Sequence, residues 1–271
     1  MTNGSDKKYE ILCSSLGREG KIAVAFSAGV DSTLLLRAAA DTLGSERVLA
    51  VTALSNSFPE RENEEAEKLC RDWGVRRVIV SVDQLSIPGF RENGADRCYI
   101  CKKALFSKMM AAAGQEGFDV LAEGSNVDDL SDYRPGLRAI AELGVKSPLR
   151  EAGLSKKEIR EISGKLGLPT WNKPSFACLA TRFVYGETIS DEKLRRVELA
   201  ERLLQDLGFG QFRVRVHGEE GRLSRIEVMP KEFPKLMENR VLIAGRLREY
   251  GFDYVSMDLE GYRMGSMNEV L

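Results

Sequence analysis

Three stretches of this sequence combine residue types that do chemistry together. The first is Ser27-Ala28-Gly29-Val30-Asp31-Ser32-Thr33, which leaves the apolar run 21–26 and opens a helical pattern. The first N–H groups of a helix attract anions, and a glycine lets a phosphate approach the backbone closely. Ser27, Ser32 and Thr33 add hydroxyl donors, so Ser27, Gly29, Val30, Asp31, Ser32 and Thr33 are the expected phosphate contacts, the alternative being a glycine-serine turn that happens to follow a strand. The common P-loop places a lysine among the β and γ phosphates. Here Asp31 stands instead, either helping to hold magnesium or orienting neighbouring amides.

The second stretch is Arg97-Cys98-Tyr99-Ile100-Cys101. Sulfurs at i and i+3 share one helix face. That spacing suits a metal, an iron–sulfur cluster, a dithiol redox pair, or two semi-buried structural thiols. The third is Cys178, with Lys173 before it and Arg182 after it. Nearby cations favour the thiolate, which is the reactive form. Three cysteines, Cys98, Cys101 and Cys178, would leave one iron of a [4Fe-4S] cluster open to carry a sulfide. Cys13 and Cys70 lie in amphipathic patterns and read as core.

Around these stretches stand further polar residues. Glu123 and Ser125 sit at a strand end and are candidate substrate contacts, as are Asp128 and Arg134. Asp128, Asp129 and Asp132 suit magnesium or the nucleotide, or simply the positive end of a helix. Arg213 and Arg215 alternate on a strand and so share a face. They suit the phosphate of a mononucleotide, or form an exposed charged face. The one histidine, His217, sits beside a turn and receives no catalytic role.

The elements that must position these groups follow from periodicity. Apolar strands over 21–26, 48–54, 75–82 and 119–123 alternate with helices over 33–43, 59–73, 96–113, 133–143 and 155–166, after a first helix over 5–18. This alternation predicts an α/β fold, an open, mostly parallel twisted sheet with helices on both faces. After residue 170 the pattern changes. A long loop over 169–185 leads to a helix over 191–207, strands over 212–217 and 224–228, a helix over 231–250 and a strand over 254–259, a smaller C-terminal α+β domain. The expected division is 1–170 and 171–271.

The 271 residues carry 40 Lys and Arg against 41 Asp and Glu, which argues against a nucleic-acid-coating surface. No apolar run spans a bilayer and the N-terminus lacks a signal peptide's apolar core, so the expected location is the cytoplasm. One histidine makes a His-rich zinc site impossible and a Ser-His-Asp hydrolase a poor fit.

The loop at 27–32 resembles the S-G-G-x-D-S signature of the ATP pyrophosphatase (PP-loop) superfamily, with Ala28 in place of the first glycine. Together with Glu123-Gly124-Ser125-Asn126-Val127-Asp128-Asp129, Asp132-Tyr133-Arg134-Pro135-Gly136, the segment 171–183, Arg213-Val214-Arg215 and the 261–265 region, it resembles the ATP-dependent sacrificial sulfur transferases of the LarE type, from about residue 21 to 268. The resemblance implies an adenine nucleotide α-hydrolase-like fold. It implies adenylation of a pyridinium dicarboxylate mononucleotide and its conversion to a thiocarboxylate in nickel-pincer nucleotide biosynthesis. Its catalytic residues would be Cys178, Arg182 and Asp31, with ATP and magnesium bound at Asp31. Two sulfur sources are implied: a cluster-bound sulfide on Cys98, Cys101 and Cys178, which the C-x-x-C favours, or the sulfur of Cys178 itself. A sulfur-regenerating protein and a homo-oligomer are expected partners, with no membrane and no nucleic acid. A PP-loop tRNA thiolase and a non-catalytic nucleotide- or cluster-binding module are the alternative functions.

Overall fold

A computed structural model of the chain describes residues 4–58, 60–131, 135–174 and 177–270. Two compact units emerge: Met1–Val82 with Cys98–Ser175, and Asp83–Arg97 with Phe176–Leu271.

The first unit runs α1 (Gly4–Gly17), β1 (Ile22–Ala25), α2 (Val30–Leu43), β2 (Val48–Ser55), α3 (Glu60–Asp72) and β3 (Arg76–Val82). It continues with α4 (Arg97–Gln115), whose first residue belongs to the second unit, then β4 (Leu121–Ala122), α5 (Gly136–Glu142), α6 (Pro148–Glu151) and α7 (Lys156–Lys165). The strands form a parallel sheet in the order β3-β2-β1-β4. β1 and β2 are near-continuous apolar runs because helices cover both their faces. Their residues join Leu34, Leu35 and Leu36 of α2 and Ile159 and Ile162 of α7 in one buried core. The α/β expectation holds. β4 is shorter than expected, yet its direction continues: Glu123 N–H donates to the Lys146 carbonyl at 2.9 Å.

Strand order decides where the chemistry sits. The chain winds outward from β1 to β3, then returns to the other side of β1 for β4. Ligands bind beyond the C-terminal strand ends at such a reversal. The two segments that leave the sheet there are the loop at 27–29 and residues 123–126.

The second unit contains α8 (Asp191–Asp206), β5 (Phe212–His217), β6 (Leu223–Val228), α9 (Phe233–Glu238), α10 (Arg240–Glu249) and β7 (Tyr254–Met257). β5 pairs antiparallel with β6, which pairs parallel with β7. The single helix expected over 231–250 is two helices. Asn239 interrupts it, because its side-chain amide takes the Lys235 carbonyl at 2.8 Å and competes with the helical backbone. No sequence signal marked 83–97 for this unit. Those residues are tied in by backbone bonds from Gly186 N–H to the Asn93 carbonyl and from Ile189 N–H to the Arg91 carbonyl. Among the described residues no helix is long and apolar enough to cross a membrane.

Candidate functional site

The loop after β1 is braced from inside. Ser32 Oγ accepts the Ser27 N–H at 3.3 Å, lies 3.2 Å from Ser27 Oγ, and donates to the Gly29 carbonyl at 3.3 Å. Helix α2 begins on Gly29 with no side-chain cap, so its first amides are offered to a ligand instead of to the chain's own side chains. The Thr33 hydroxyl is fully buried and has no hydrogen-bond partner among the described residues, an arrangement that an incoming phosphate oxygen would relieve. Ala28 takes φ +52° with its methyl buried. That backbone region favours glycine, which explains why the resembling signature has glycine here.

Residues after β4 press against this loop. A Cβ on Gly124 would stand 3.0 Å from Ser32 N and 3.2 Å from Asp31 Cβ, so only glycine fits without displacement. Asp31 forms an ion pair with Lys156 and lies 3.5 Å from the Asn126 amide. Burial pushes the Asp31 carboxyl up, Lys156 opposes this, and Asp129 adds to the rise. A cation is therefore welcome at Asp31, and Lys156 supplies one. An Mg2+ ion typically binds through one or two carboxylates plus substrate phosphates, so Asp31 fits that role without a three-carboxylate cage.

Other expected substrate residues build the scaffold. Both Glu123 oxygens are occupied: one accepts Ser125 N–H at 3.0 Å and Ser125 Oγ at 2.7 Å, the other accepts Ser147 Oγ at 2.5 Å. Glu123 and Ser125 thus hold the end of β4 in shape. Asp128 accepts the Lys156 backbone N–H at 2.8 Å and so joins the β4 end to α7. Asn126 accepts the Asp128 N–H at 3.0 Å and donates its own N–H to Asp129 at 2.9 Å. Arg134 lies outside the described residues.

Sequence reasoning missed Lys156. The signal was present: Ser155 and Glu158 form a capping box, which puts Lys156 at the first position of α7. A cation there is disfavoured by the helix dipole. Such a lysine needs an outside anion, and Asp31 is that anion.

Cys178 is exposed and opens a short 3₁₀ turn, Leu179–Arg182, in the second unit. Three arginines grip the carbonyls of this turn. Arg182 Nη1 donates to Ala177 O at 2.9 Å and Cys178 O at 3.1 Å. Arg97 donates to Ala180 O at 2.8 Å, and Arg215 to Thr181 O at 3.0 Å. Arg182 is fully buried and forms a two-bond pair with Glu201, both at 2.8 Å. Its donors face the turn and Glu201. Arg215 is likewise held by Glu227 at 2.9 Å and by Ser266 Oγ at 3.1 Å. The strand face of Arg213 and Arg215 is buried, not an exposed charged one. Arg213 lies over the Tyr262 ring, and burial followed by Arg182 presses its pKa down to about 10.

Lys173, expected to act on the Cys178 thiol, instead bonds Glu62, Glu65 and the Ala28 carbonyl in the first unit. Cys98 is half-buried and Cys101 buried on α4. Among the described residues no three His, Cys, Asp or Glu side chains stand together as a metal group. Cys98 and Cys101 lie in the first unit and Cys178 in the second. Cys70 is core, as expected, and burial pushes its thiol up to about 11.

No protein-family profile matches the chain. Among curated proteins it is 41% identical over 268 residues to an uncharacterized protein of Synechocystis, covering 98% of both chains. It is 35% identical over 264 residues to the pyridinium-3,5-bisthiocarboxylic acid mononucleotide synthase of Lactiplantibacillus plantarum, covering 97% of this chain and 95% of that one. A shorter stretch of 78 residues, 26% of the chain, is 35% identical to the NH(3)-dependent NAD(+) synthetase of Aeropyrum pernix, covering 27% of that protein.

Proposed function

Because this chain belongs to the pyridinium-3,5-bisthiocarboxylic acid mononucleotide synthase family, the LarE-type sulfur transferases, we propose that it is an ATP-using enzyme that adenylates a carboxylate of a pyridinium mononucleotide and replaces the AMP with sulfur. The observation that carries this reading is the exposed Cys178 thiol on a turn immobilised by three arginines.

ATP lies along Ser27, Gly29, Val30, Asp31, Ser32 and Thr33, with its phosphates on the uncapped amides of α2. A bound magnesium ion would be held by Asp31 together with phosphate oxygens, and would neutralise charge on the departing pyrophosphate. Lys156 balances the same charge from the protein side. The substrate carboxylate attacks the α-phosphorus, the bond to pyrophosphate breaks, and an acyl-adenylate forms. Arg213 takes the substrate phosphate, whose charge would offset the desolvation of the guanidinium.

The Cys178 thiolate then attacks the acyl carbon, and the C–O bond to AMP breaks to give a thioester. Loss of the Cys178 α-proton and cleavage of its Cβ–S bond release the thiocarboxylate and leave dehydroalanine. Arg182, Arg215 and Arg97 hold the turn still while its cysteine reacts. The thiolates of Cys98, Cys101 and Cys178 have the chemistry of iron ligands. They would hold the cluster of the other sulfur route; the donor in this proposal is Cys178 itself, whose side chain is exposed.

The test is the polypeptide mass and iron content before and after turnover, on protein purified without oxygen. A loss of about 34 Da, one hydrogen sulfide, mapped to Cys178 is expected. An unchanged mass with product formed and iron bound would transfer the role to a cluster sulfide.

A further inference from the structure

A cation stands beside the nucleotide loop without a part in the chemistry above. Lys173 Nζ lies 3.1 Å from the Ala28 carbonyl, 2.7 Å from Glu62 and 2.5 Å from Glu65, with only 13% of its side chain exposed. Ala28 is the residue at φ +52° in the loop, and both glutamates come from α3. One ammonium therefore ties the loop backbone to two carboxylates.

Within this hydrogen-bonded cluster one ammonium meets two carboxylates, with Arg61 acting on Glu62 from its own helix. A triphosphate on the loop would bring several more negative charges to its edge. Like charges in a poorly solvated site repel strongly, and Lys173, the cation bonded to both carboxylates and to the loop carbonyl, is the group that can turn to meet them. Burial already pushes the Glu62 carboxyl up, and Lys173, the cation that the phosphates would recruit, opposes that rise, followed by Arg61.

The backbone of Lys173 is anchored as well. Its carbonyl accepts Arg160 Nη2 at 2.7 Å, and Arg160 Nη1 also donates to the Trp171 carbonyl at 2.9 Å. From Lys173 the chain continues to Cys178 five residues later.

We propose that Lys173 is a positioning residue that exchanges Glu62 and Glu65 for the phosphates of ATP, so that nucleotide occupancy is transmitted to the segment 171–174 leading to the cysteine turn. This rests on the reading of 27–33 as an ATP site. The exchange also makes Glu62 a competitor of ATP for the same cation.

The chain contains two tryptophans, Trp73 and Trp171, and the second lies in the segment concerned, 49% exposed. A Trp73→Phe background makes Trp171 emission a reporter. ATP with magnesium is titrated while emission is recorded, and binding is measured separately by calorimetry. In that background the emission change should track binding. Lys173→Met should weaken ATP binding roughly tenfold or more and abolish the Trp171 response at saturation. Lys173→Arg should restore part of both. Glu62→Gln should tighten ATP about two- to tenfold, because the competing charge is gone. A full Trp171 response in Lys173→Met at saturating ATP overturns the proposal. Unchanged ATP affinity in Glu62→Gln does so too, and that variant serves if Lys173→Met does not fold. If the Trp73→Phe protein binds no ATP by calorimetry, the nucleotide reading falls, a result distinct from the other two.

Discussion

Replacing Gly124 by alanine tests the claim that the end of β4 is moulded to the nucleotide loop. The added Cβ would lie 3.0 Å from Ser32 N, 3.2 Å from Asp31 Cβ and 3.3 Å from Asp31 C, against an ordinary contact of 3.4–4 Å. Two of these atoms are backbone, so no flexible side chain can swing away. Neither side yields easily. β4 is paired to β1, and Glu123 N–H is bonded to the Lys146 carbonyl. Ser32 is bonded to Ser27 and Gly29. Overpacking of this kind costs about 1–3 kcal/mol. At about 2–4 °C per kcal/mol for a chain approaching this size, the melting temperature should fall by roughly 2–12 °C. The displaced group is the Ser32 amide, so nucleotide binding should weaken as well, about five- to tenfold for each 1.0–1.4 kcal/mol expressed there. Gly114→Ala is the control. It is the same chemical change on α4 with nothing within 4 Å, and should stabilise by about 0.5–1 kcal/mol. Thermal melting and ATP calorimetry on both variants give the answer. If Gly124→Ala melts and binds ATP like Gly114→Ala, the close approach of β4 to the loop is wrong.

Arg182→Met should destabilise the second unit by about 3–5 kcal/mol, because Glu201 is left charged and buried without its two-bond partner; a melting temperature near that of the parent would refute the clamp. Ala28→Gly should leave stability within about 1 kcal/mol. Relief of a left-handed alanine returns about 1–2 kcal/mol, while the lost buried methyl and the freer unfolded chain each cost about 1. A melting shift beyond about 4 °C in either direction would contradict that cancellation. Glu158 is held at about 2, below its ordinary 4.5, first by Lys8 and then by the Ser155 amide. Its folded-state pKa is depressed, so its contribution is present above about pH 4.5 and lost as pH falls toward 2. Glu158→Gln should therefore lower the melting temperature at neutral pH and converge with the parent near pH 2. Parallel curves across that window would refute the linkage.

Much of the fold was legible in the chain. Buried strands such as 48–55 are apolar on both faces, and amphipathic helices such as 156–165 carry their own start signals, so local pattern located them to within a few residues. The break at Asn239 was not legible, because a side-chain amide that shares one carbonyl with its own backbone N–H is a matter of local geometry that residue type alone does not set. The division of the chain was less legible still, since 83–97 joins its unit through pairings with residues about ninety positions away.

The same contrast runs through the site. Sequence alone placed the loop at 27–33 on a strand-to-helix junction and marked it as an expected anion cradle, because glycine, hydroxyls and such a junction are local properties. It also identified Cys178 as a thiol in a polar, cation-bearing segment. What each charged residue does was decided only by tertiary structure. Lys173 and Arg182 flank the same cysteine in the chain, yet one bonds the Ala28 carbonyl and the other is buried against Glu201. Asp31 found its partner in Lys156, 125 positions away. A charge is recorded in the sequence as a residue type, but its work is set by the dielectric around it and by the partner that meets it, and both are supplied by the fold.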